Sequence, residues 1–242
     1  MLSRNVAIAV TLLSFVAGPA FADSIATVAG FAGNPTVNGN PIRPSTAINE
    51  HDKINVGLGN VQLIFTDGTK LVIGENSSLV IEKYLMKGGN QAQAVAVDAL
   101  RGTFRFITGN SAKSAYNIQT ANATIGIRGT GFDFYVGGDT GVVVMEGSVR
   151  LCRKGAGSKN CVDIPSGCNA GVAAPGSARK VQSFDLAQRI SNHLPYIIDQ
   201  SPLKQPFHLN TASCNRVVNL ITGGGGGATP PAPSRNNDDG GG

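Results

Sequence analysis

The segment from Ala121 to Val136, ANATIGIRGTGFDFYV, constrains the fold of this chain more than any other part of its sequence. It contains two alternating apolar runs, joined through Arg128-Gly129-Thr130-Gly131. Glycine on both sides of a threonine allows a turn that a Cβ atom would obstruct. After the turn, Phe132, Phe134 and Val136 share one face of a strand, while Asp133 and Tyr135 share the other. The pattern predicts two β-strands that meet at a glycine-hinged corner.

Similar alternating runs recur along the chain. Asp67-Gly68 is the strongest turn signal, because alternating residues flank it on both sides. The composition, with Gly at 32 of 242 positions, no Trp and 14% charged residues, also favours a turn-rich β protein. The sequence therefore predicts an all-β fold, with strands near residues 53–56, 61–66, 70–73, 79–84, 94–100, 103–107, 115–120, 124–127, 131–136, 141–146 and 148–152.

The string TIGIRGTGF, Thr124–Phe132, resembles the signature of the FecR periplasmic domain family. The resemblance covers roughly Ile54 to Leu151 and includes VQLIFTDGTKLVIGENSSLVIEKY, GTFRFITG and GVVVMEGSVRL. It implies a β-solenoid-like or twisted β-roll architecture. Arg-Gly-Thr occurs twice, at residues 101–103 and 128–130, and a stack of similar coils would reuse one corner geometry in this way. A Greek-key sandwich has a similar density of strands and is the alternative.

The N-terminus predicts export. Arg4 precedes an apolar run, and Ala20-Phe21-Ala22 fits a signal-peptide cleavage site after Ala22. A retained N-terminal anchor is the alternative. We therefore expect a protein of the periplasm or of the cell exterior. The predicted divisions are a signal peptide (1–22), N-terminal strands and loops (23–53), a FecR-like β domain (54–151), a disulfide-linked C-terminal extension (152–222) and a disordered Gly/Pro tail (223–242).

The C-terminal extension contains one predicted helix. Ser183 or Asp185 is placed to cap it, and Leu186, Ile190 and Leu194 lie on one helical face. Pro195, directly after this apolar stripe, ends the helix.

Four cysteines, Cys152, Cys161, Cys168 and Cys214, form no C-x-x-C pair. A structural zinc site or a thioredoxin-like motif is therefore not expected, and an even count in an oxidising compartment predicts disulfides. Three connectivities are possible. We expect Cys152–Cys161, across a hairpin loop, and Cys168–Cys214, which would tie the extension to the β domain.

The formal net charge is +5, and nearly all of the excess of Lys and Arg lies between residues 150 and 189. This basic part has almost no aromatic residues, so nucleic acid is not an expected partner. We predict binding of another envelope or extracellular protein, through unpaired strand edges or through the basic hairpin Arg150–Lys159. Anionic polysaccharide or lipid are the alternative partners. A solvated charged loop is the simpler interpretation of the hairpin. The predicted binding residues are Arg128, Arg150, Arg153, Lys154 and Lys159.

No catalytic site, metal site or cofactor is expected. The chain lacks H-E-x-x-H and G-x-S-x-G, and its histidines, His51, His193 and His208, are far apart in sequence. His193 is favourable as a cation at the end of the predicted helix. A polysaccharide-cleaving enzyme is an alternative, but it would need paired carboxylates and aromatic platforms that the sequence does not offer.

The FecR resemblance raises one further possibility. FecR-like regulators are described as cleaving themselves at a Gly-Thr bond, by attack of the threonine hydroxyl on the preceding carbonyl. Gly129-Thr130 and Gly102-Thr103 both offer this dipeptide, although a threonine that only packs at a corner is the simpler interpretation. The signal peptide stands where such regulators carry a cytoplasmic segment and a transmembrane helix. We therefore expect the β module, rather than an anti-sigma role, to be the shared part, and a periplasmic sensor or signalling accessory is the alternative function.

Overall fold

A computed structural model describes residues 24–129, 131–181 and 183–221 of the chain. The predicted signal peptide (1–22) and the predicted disordered tail (223–242) lie outside the described residues. Thr130 does as well.

The described chain is mostly β-structure, which confirms the predicted fold class. Its strands form two layers, and β9 (Gln91–Ile107) passes through both of them, so that all 17 strands belong to one continuous sheet. The first layer, here called the covered sheet, contains residues 102–107 of β9 with β1 (Ala26–Gly33), β4 (Ala47–Ile48), β6 (Gly59–Phe65), β7 (Lys70–Ile73), β12 (Gly131–Val136), β13 (Thr140–Glu146), β16 (Asn169–Ala174) and β17 (Ser177–Lys180). The second layer, here called the bare sheet, contains residues 91–101 of β9 with β2 (Thr36–Val37), β3 (Asn40–Pro41), β5 (Lys53–Val56), β8 (Ser77–Gly88), β10 (Tyr116–Gln119), β11 (Ala123–Ile127), β14 (Ser148–Arg153) and β15 (Cys161–Pro165).

The predicted solenoid-like stack or β-roll is not confirmed. Among the described strands only β9 and β10 pair in parallel, and every other pairing is antiparallel. The predicted turn at Asp67-Gly68 is a tight hairpin turn between β6 and β7, and not a corner between stacked coils. Strands β15, β16 and β17, beyond the segment that carries the FecR resemblance, continue both layers.

The main core lies between the two layers. Alternation along each strand directs one set of apolar side chains inward, as predicted for the FDFYV segment. Phe104 and Phe134 stack there at 4.8 Å between ring centroids, and Phe132 packs beside them. Tyr135 points the other way and belongs to a second cluster on the outer side of the covered sheet.

The two Arg-Gly-Thr strings occupy related places in this fold. Both lie where the chain passes from the bare sheet to the covered sheet, one within β9 and one between β11 and β12. Gly102 and Gly129 have φ angles of +103° and +84°, which L side chains rarely adopt. The repeated motif therefore marks a repeated crossing between layers.

Helices cover the outer side of the covered sheet. They are α1 (Ser183–His193), α2 (Pro195–Ile198) and α3 (Ala212–Ile221), and short 3₁₀ turns occur at Lys113–Ala115, Gly157–Lys159 and Gln205–Phe207. The predicted helix is confirmed as α1, and Leu186, Ile190 and Leu194 are buried against the sheet. Helix α3 was not predicted. Cys214 on α3 is fully buried in the same cluster.

A buried arginine of the covered sheet, which pairs with Asp133 on the neighbouring strand, also binds the C-terminal extension. Arg105 and Asp133 lie on neighbouring strands with 0% and 1% of their side chains exposed, and Nε and Nη2 of the arginine reach the two carboxylate oxygens at 2.7 and 2.9 Å. The remaining guanidinium donors bind Gln200 and the carbonyl oxygens of Tyr196 and Phe207. Burial raises the pKa of Asp133, and the charge and hydrogen bonds of Arg105 oppose that rise. Because all five donors find acceptors, the desolvated charge is compensated.

A second buried carboxylate joins the two layers at one end of the sandwich. Asp67 follows β6 and accepts hydrogen bonds from Ser111 Oγ at 2.6 Å, Tyr116 Oη at 2.7 Å, and the amide and hydroxyl of Thr69 at 3.0 Å. Burial acts to raise the pKa of Asp67, but these hydrogen bonds outweigh it and hold the pKa below 3.8. The turn that the sequence predicted here therefore also carries a polar cluster.

Candidate functional site

The outer side of the bare sheet is the part of the β-structure that the described chain leaves exposed. Strand β11 pairs with β14 there, and Gly126 lies opposite Arg150. Ile125, Ile127 and Val149 alternate with these residues and are buried in the core. Gly126 and Arg150 therefore face outward, and the glycine leaves a gap in the row of side chains.

Three basic side chains surround this gap. A depression of about 410 Å³ is lined by Lys113, Arg128 and Arg150, with Ser114, Tyr116, Gly126 and Ile127. No carboxylate is among these lining residues. Within the described chain, neither Lys113 nor Arg128 has a salt bridge, and Arg150 pairs with Asp163 at 3.2 Å while 37% of the arginine side chain stays exposed. Asp163 offsets part of the charge of Arg150, and Lys113 and Arg128 give the depression an excess of positive charge.

The backbone positions each of these cations. The amide of Arg128 donates to Ser148 O at 3.1 Å, which extends the pairing of β11 with β14 by one residue. Lys113 belongs to the 3₁₀ turn before β10, and its side chain lies against Gly129, where a Cβ atom would be 2.7 Å from Lys113 Cε and 3.1 Å from Nζ. Glycine at residue 129 therefore makes room for the lysine side chain.

A second depression of about 340 Å³ continues the basic surface, which we call the basic strip. It is lined by Thr124, Arg150, Cys152, Arg153, Gly155, Gly157 and Cys161. The buried Nε of Arg153 has no hydrogen-bond partner among the described residues. Arg150 borders both depressions, so it connects the two halves of the strip.

The structure brings together some of the predicted binding residues and separates others. Arg128 and Arg150 share the first depression, and Arg150 and Arg153 share the second. Lys154 donates from Nζ to Thr120 O at 3.1 Å, and exposed Lys159 lines neither depression. Sequence reasoning missed Lys113, since only the pairing of β10 with β11 brings it near Arg128.

Both expected disulfides are formed. Cys152–Cys161 links the paired strands β14 and β15, and Cys168–Cys214 links the loop before β16 to helix α3. The second bond holds α3 on the covered sheet. Disulfides of this kind are typical of proteins that fold in an oxidising compartment.

Of the two Gly-Thr dipeptides, only Gly102-Thr103 lies entirely among the described residues. Thr130 lies outside the described residues, so the geometry of its hydroxyl is not described. At the other dipeptide, the amide of Thr103 donates to Ser77 Oγ at 2.9 Å, and Thr103 Oγ1 is buried with no partner among the described residues. A Cβ atom on Gly102 would overlap Ser77, so this position requires glycine.

A larger groove of about 870 Å³ lies where the covered sheet meets the end of α1. Its lining includes Thr103, Glu75, Asp139 and His193. Asp139 pairs with Arg189 at 2.9 Å, and the His193 ring stacks on Tyr135 at 4.3 Å. Burial, and next the carboxylate of Asp139, raise the pKa of Tyr135. The interactions of Asp139 and His193 thus connect α1 to strand β12 and to the loop that follows it.

Between residues 24 and 221, apart from residues 130 and 182, no three His, Cys, Asp or Glu side chains are grouped as metal ligands. No helix in this part of the chain is long and apolar enough to cross a membrane.

Comparison with known proteins identifies the β module. Residues 52–150 match the family described as FecR protein, and this part of the chain is similar to a FecR domain. No curated protein matches the chain. Two crystal structures of a candidate anti-sigma factor from Parabacteroides distasonis ATCC 8503, at 1.65 and 2.50 Å, are 14% identical to it, with TM-scores of 0.40 and 0.41. Each alignment covers 53% of this chain and 57% of the other, so the chain spans little more than half of those proteins.

Proposed function

We propose that the chain is a non-catalytic FecR-type contact module of the cell envelope, periplasmic or secreted, with a regulatory or sensor role that it performs by binding an anionic partner. The observation that carries this proposal is the difference between the two outer sides of the sandwich. The protein covers one of them with its own C-terminal extension and leaves the other exposed with a basic strip.

The covered sheet has little surface left to offer. Its outward residues Asp133, Val143 and Met145 are at most 7% exposed, because the helices pack on them. Hydrogen bonds from buried Arg105 and a disulfide hold the extension in place. A partner that needed this side would have to displace structure that is covalently tied to the sheet.

The strand edges are also less suited to binding than the exposed face. The outermost strands at one end are β15 and β17, of five and four residues, and β17 contains Arg179 and Lys180. Short edges that carry charge disfavour the addition of another strand. We therefore place partner contact on the basic strip, and strand addition stays a prediction for a separate test.

Charge reversal tests the proposal. The mature protein would be immobilised and exposed to an envelope extract at low and high salt, beside a variant that combines Arg128→Glu with Arg150→Glu. We expect the natural sequence to retain a partner at low salt, salt to release it, and the variant to lose it, since exposed charge pairs are screened by ions. Arg43→Glu removes an exposed arginine far from the strip and should retain the partner. Equal retention by all three proteins would contradict the proposal.

Self-cleavage is a second candidate function, and one observation favours it. Gly102 has an unusual backbone conformation, and the neighbouring Thr103 hydroxyl is buried without a partner in the described chain. In an N→O acyl shift, Oγ1 would bond to the Gly102 carbonyl carbon as the C–N bond breaks, its proton would move to the nitrogen, and water would then hydrolyse the ester. Intact mass of the reduced mature protein tests this. Two fragments that add up to the chain plus one water, absent in Thr103→Ala, would support it, and a single uncut mass would exclude it.

A further inference from the structure

We infer that the depression between Lys113, Arg128 and Arg150 recognises a phosphate group. This inference rests on the proposed function, because it names the chemical class of anion that the basic strip binds. Its three cations come from separate elements, the 3₁₀ turn before β10, the end of β11, and β14. They therefore approach one volume from three directions.

The arrangement of the three cations suits a compact anion whose oxygens are arranged tetrahedrally rather than in one plane. A carboxylate is planar and has two oxygens, which a single guanidinium can bind in a bidentate manner. A phosphate has further oxygens for a second arginine and a lysine, and its charge approaches −2 near neutral pH. Three cations without an acidic lining residue match that charge better than they match the single charge of a carboxylate.

The floor of the depression is backbone. Gly126 faces outward between Arg128 and the paired Arg150, and a Cβ atom built on it would be 3.8 Å from Arg150 Cβ and 3.7 Å from Arg150 O. These are ordinary contact distances, and Gly126 has no positive φ angle, so a side chain fits there without strain. The missing side chain is therefore not required for folding, and its absence opens the space that a ligand would occupy.

This property gives a test that leaves every charge in place. Gly126→Val would fill the floor with a residue that strands favour, while Lys113, Arg128 and Arg150 stay unchanged. Amide chemical shifts of the mature protein would be followed during titration with inorganic phosphate, and separately with acetate at the same ionic strength. For the natural sequence we expect phosphate to cause saturable shifts around residues 113–116, 126–129 and 148–150, and acetate to cause much smaller ones.

We expect Gly126→Val to weaken phosphate binding about tenfold, a change that corresponds to about 1.4 kcal/mol. Arg128→Gln should weaken it about three- to tenfold by removing one charged donor. Arg43→Gln, which removes an exposed arginine outside the strip, should bind phosphate like the natural sequence. Unchanged unfolding midpoints would show that the variants are folded. Unaltered phosphate binding by Gly126→Val, or equal shifts with acetate, would overturn the inference.

Vesicles distinguish a lipid headgroup from a free phosphate. Cosedimentation with phosphatidylcholine vesicles that contain phosphatidic acid, whose headgroup is a phosphate monoester, would support a lipid source if it is lost in Gly126→Val. Phosphate binding without cosedimentation would support a free phosphate. The failures of the two proposals are distinguishable. If retention from the extract depends on Arg128 and Arg150 but phosphate does not bind, the phosphate inference is wrong and an acidic protein surface is the partner. If phosphate binds but the variant with Arg128→Glu and Arg150→Glu still retains the partner from the extract, the proposed contact role is wrong.

Discussion

The covered and bare sheets are built from similar strands, but the outer side of the first is buried under helices and the outer side of the second is exposed. Along β11 and β14 apolar and polar residues alternate, and the polar ones face solvent. Along β13 the run Val142–Met145 is buried on both sides of the strand. A strand without alternation needs cover on both faces, and the C-terminal extension provides it. The comparison shows that the described chain covers one outer side with its own helices and leaves the other exposed.

The largest expected effect comes from the buried ion pair of the covered sheet. Asp133→Ala would leave the Arg105 guanidinium buried without its carboxylate, and we expect unfolding to become easier by roughly 3–5 kcal/mol. On the bare sheet, Asp163→Ala removes the partner of exposed Arg150 and should cost less than about 1 kcal/mol. Urea unfolding of both variants measures the contrast. Similar losses for the two would mean that the faces do not differ as described.

The two disulfides allow a second comparison. Cys168–Cys214 ties the extension to the covered sheet across a sequence separation of 46, whereas Cys152–Cys161 closes a separation of 9 on the bare sheet. Loop-closure entropy predicts losses of about 4 and about 2.5 kcal/mol when each pair is replaced by alanine. Thermal unfolding of the two double variants tests this order. Limited proteolysis should cut α3 first when the longer link is absent, and an intact α3 in that variant would count against the role assigned to the bond.

Acid should weaken the end of the sandwich where Asp67 joins the layers. The folded-state pKa of Asp67 is below 3.8, so its stabilising effect is fully present above that pH and is lost as the pH falls through the lowered value. Asp67→Asn should cost about 2 kcal/mol at pH 7, since an amide cannot accept from Ser111, Tyr116 and Thr69 in the same way. Below pH 4 the stabilities of the two proteins should converge, as unfolding measured between pH 2 and 7 would show. A constant difference across this range would contradict the role assigned to the carboxylate.

Local patterns were enough to predict the β class and most of the strands, but not the architecture. Alternation and turn residues located the strands from residue 53 to residue 153, and the apolar stripe of α1 predicted the helix. The division into two layers was not predictable, because alternation shows that one face is buried but not which strands lie opposite each other. Two strands were predicted at residues 94–100 and 103–107, and the structure has one strand, β9, that crosses between the layers at Gly102.

The site was predicted only in part. Arg128 and Arg150 were identified from the motif and from the local charge, but Lys113 depends on a pairing between strands. Arg105 went unnoticed as well, since an arginine between two phenylalanines in a strand normally faces water. The continuous run Val142–Met145 was the available signal that this sheet is covered, and it implied that polar residues on the same face would be buried.

Two glycines, one on each sheet, give the smallest expected difference in stability and the most direct comparison of the two outer sides. Gly141 lies on the covered sheet, where a Cβ atom would overlap the ring of buried Tyr135, so Gly141→Ala should cost about 1–2 kcal/mol as the ring shifts. Gly126 lies on the bare sheet with free space above it, and Gly126→Ala should instead stabilise the fold by about 0.5 kcal/mol, since the unfolded chain loses freedom. Each variant adds one methyl group to the outer side of one sheet, and the denaturant midpoints of the two variants measure how each sheet tolerates it. Equal destabilisation by both would show that the bare sheet is covered as well, and no surface would then be left for the proposed partner.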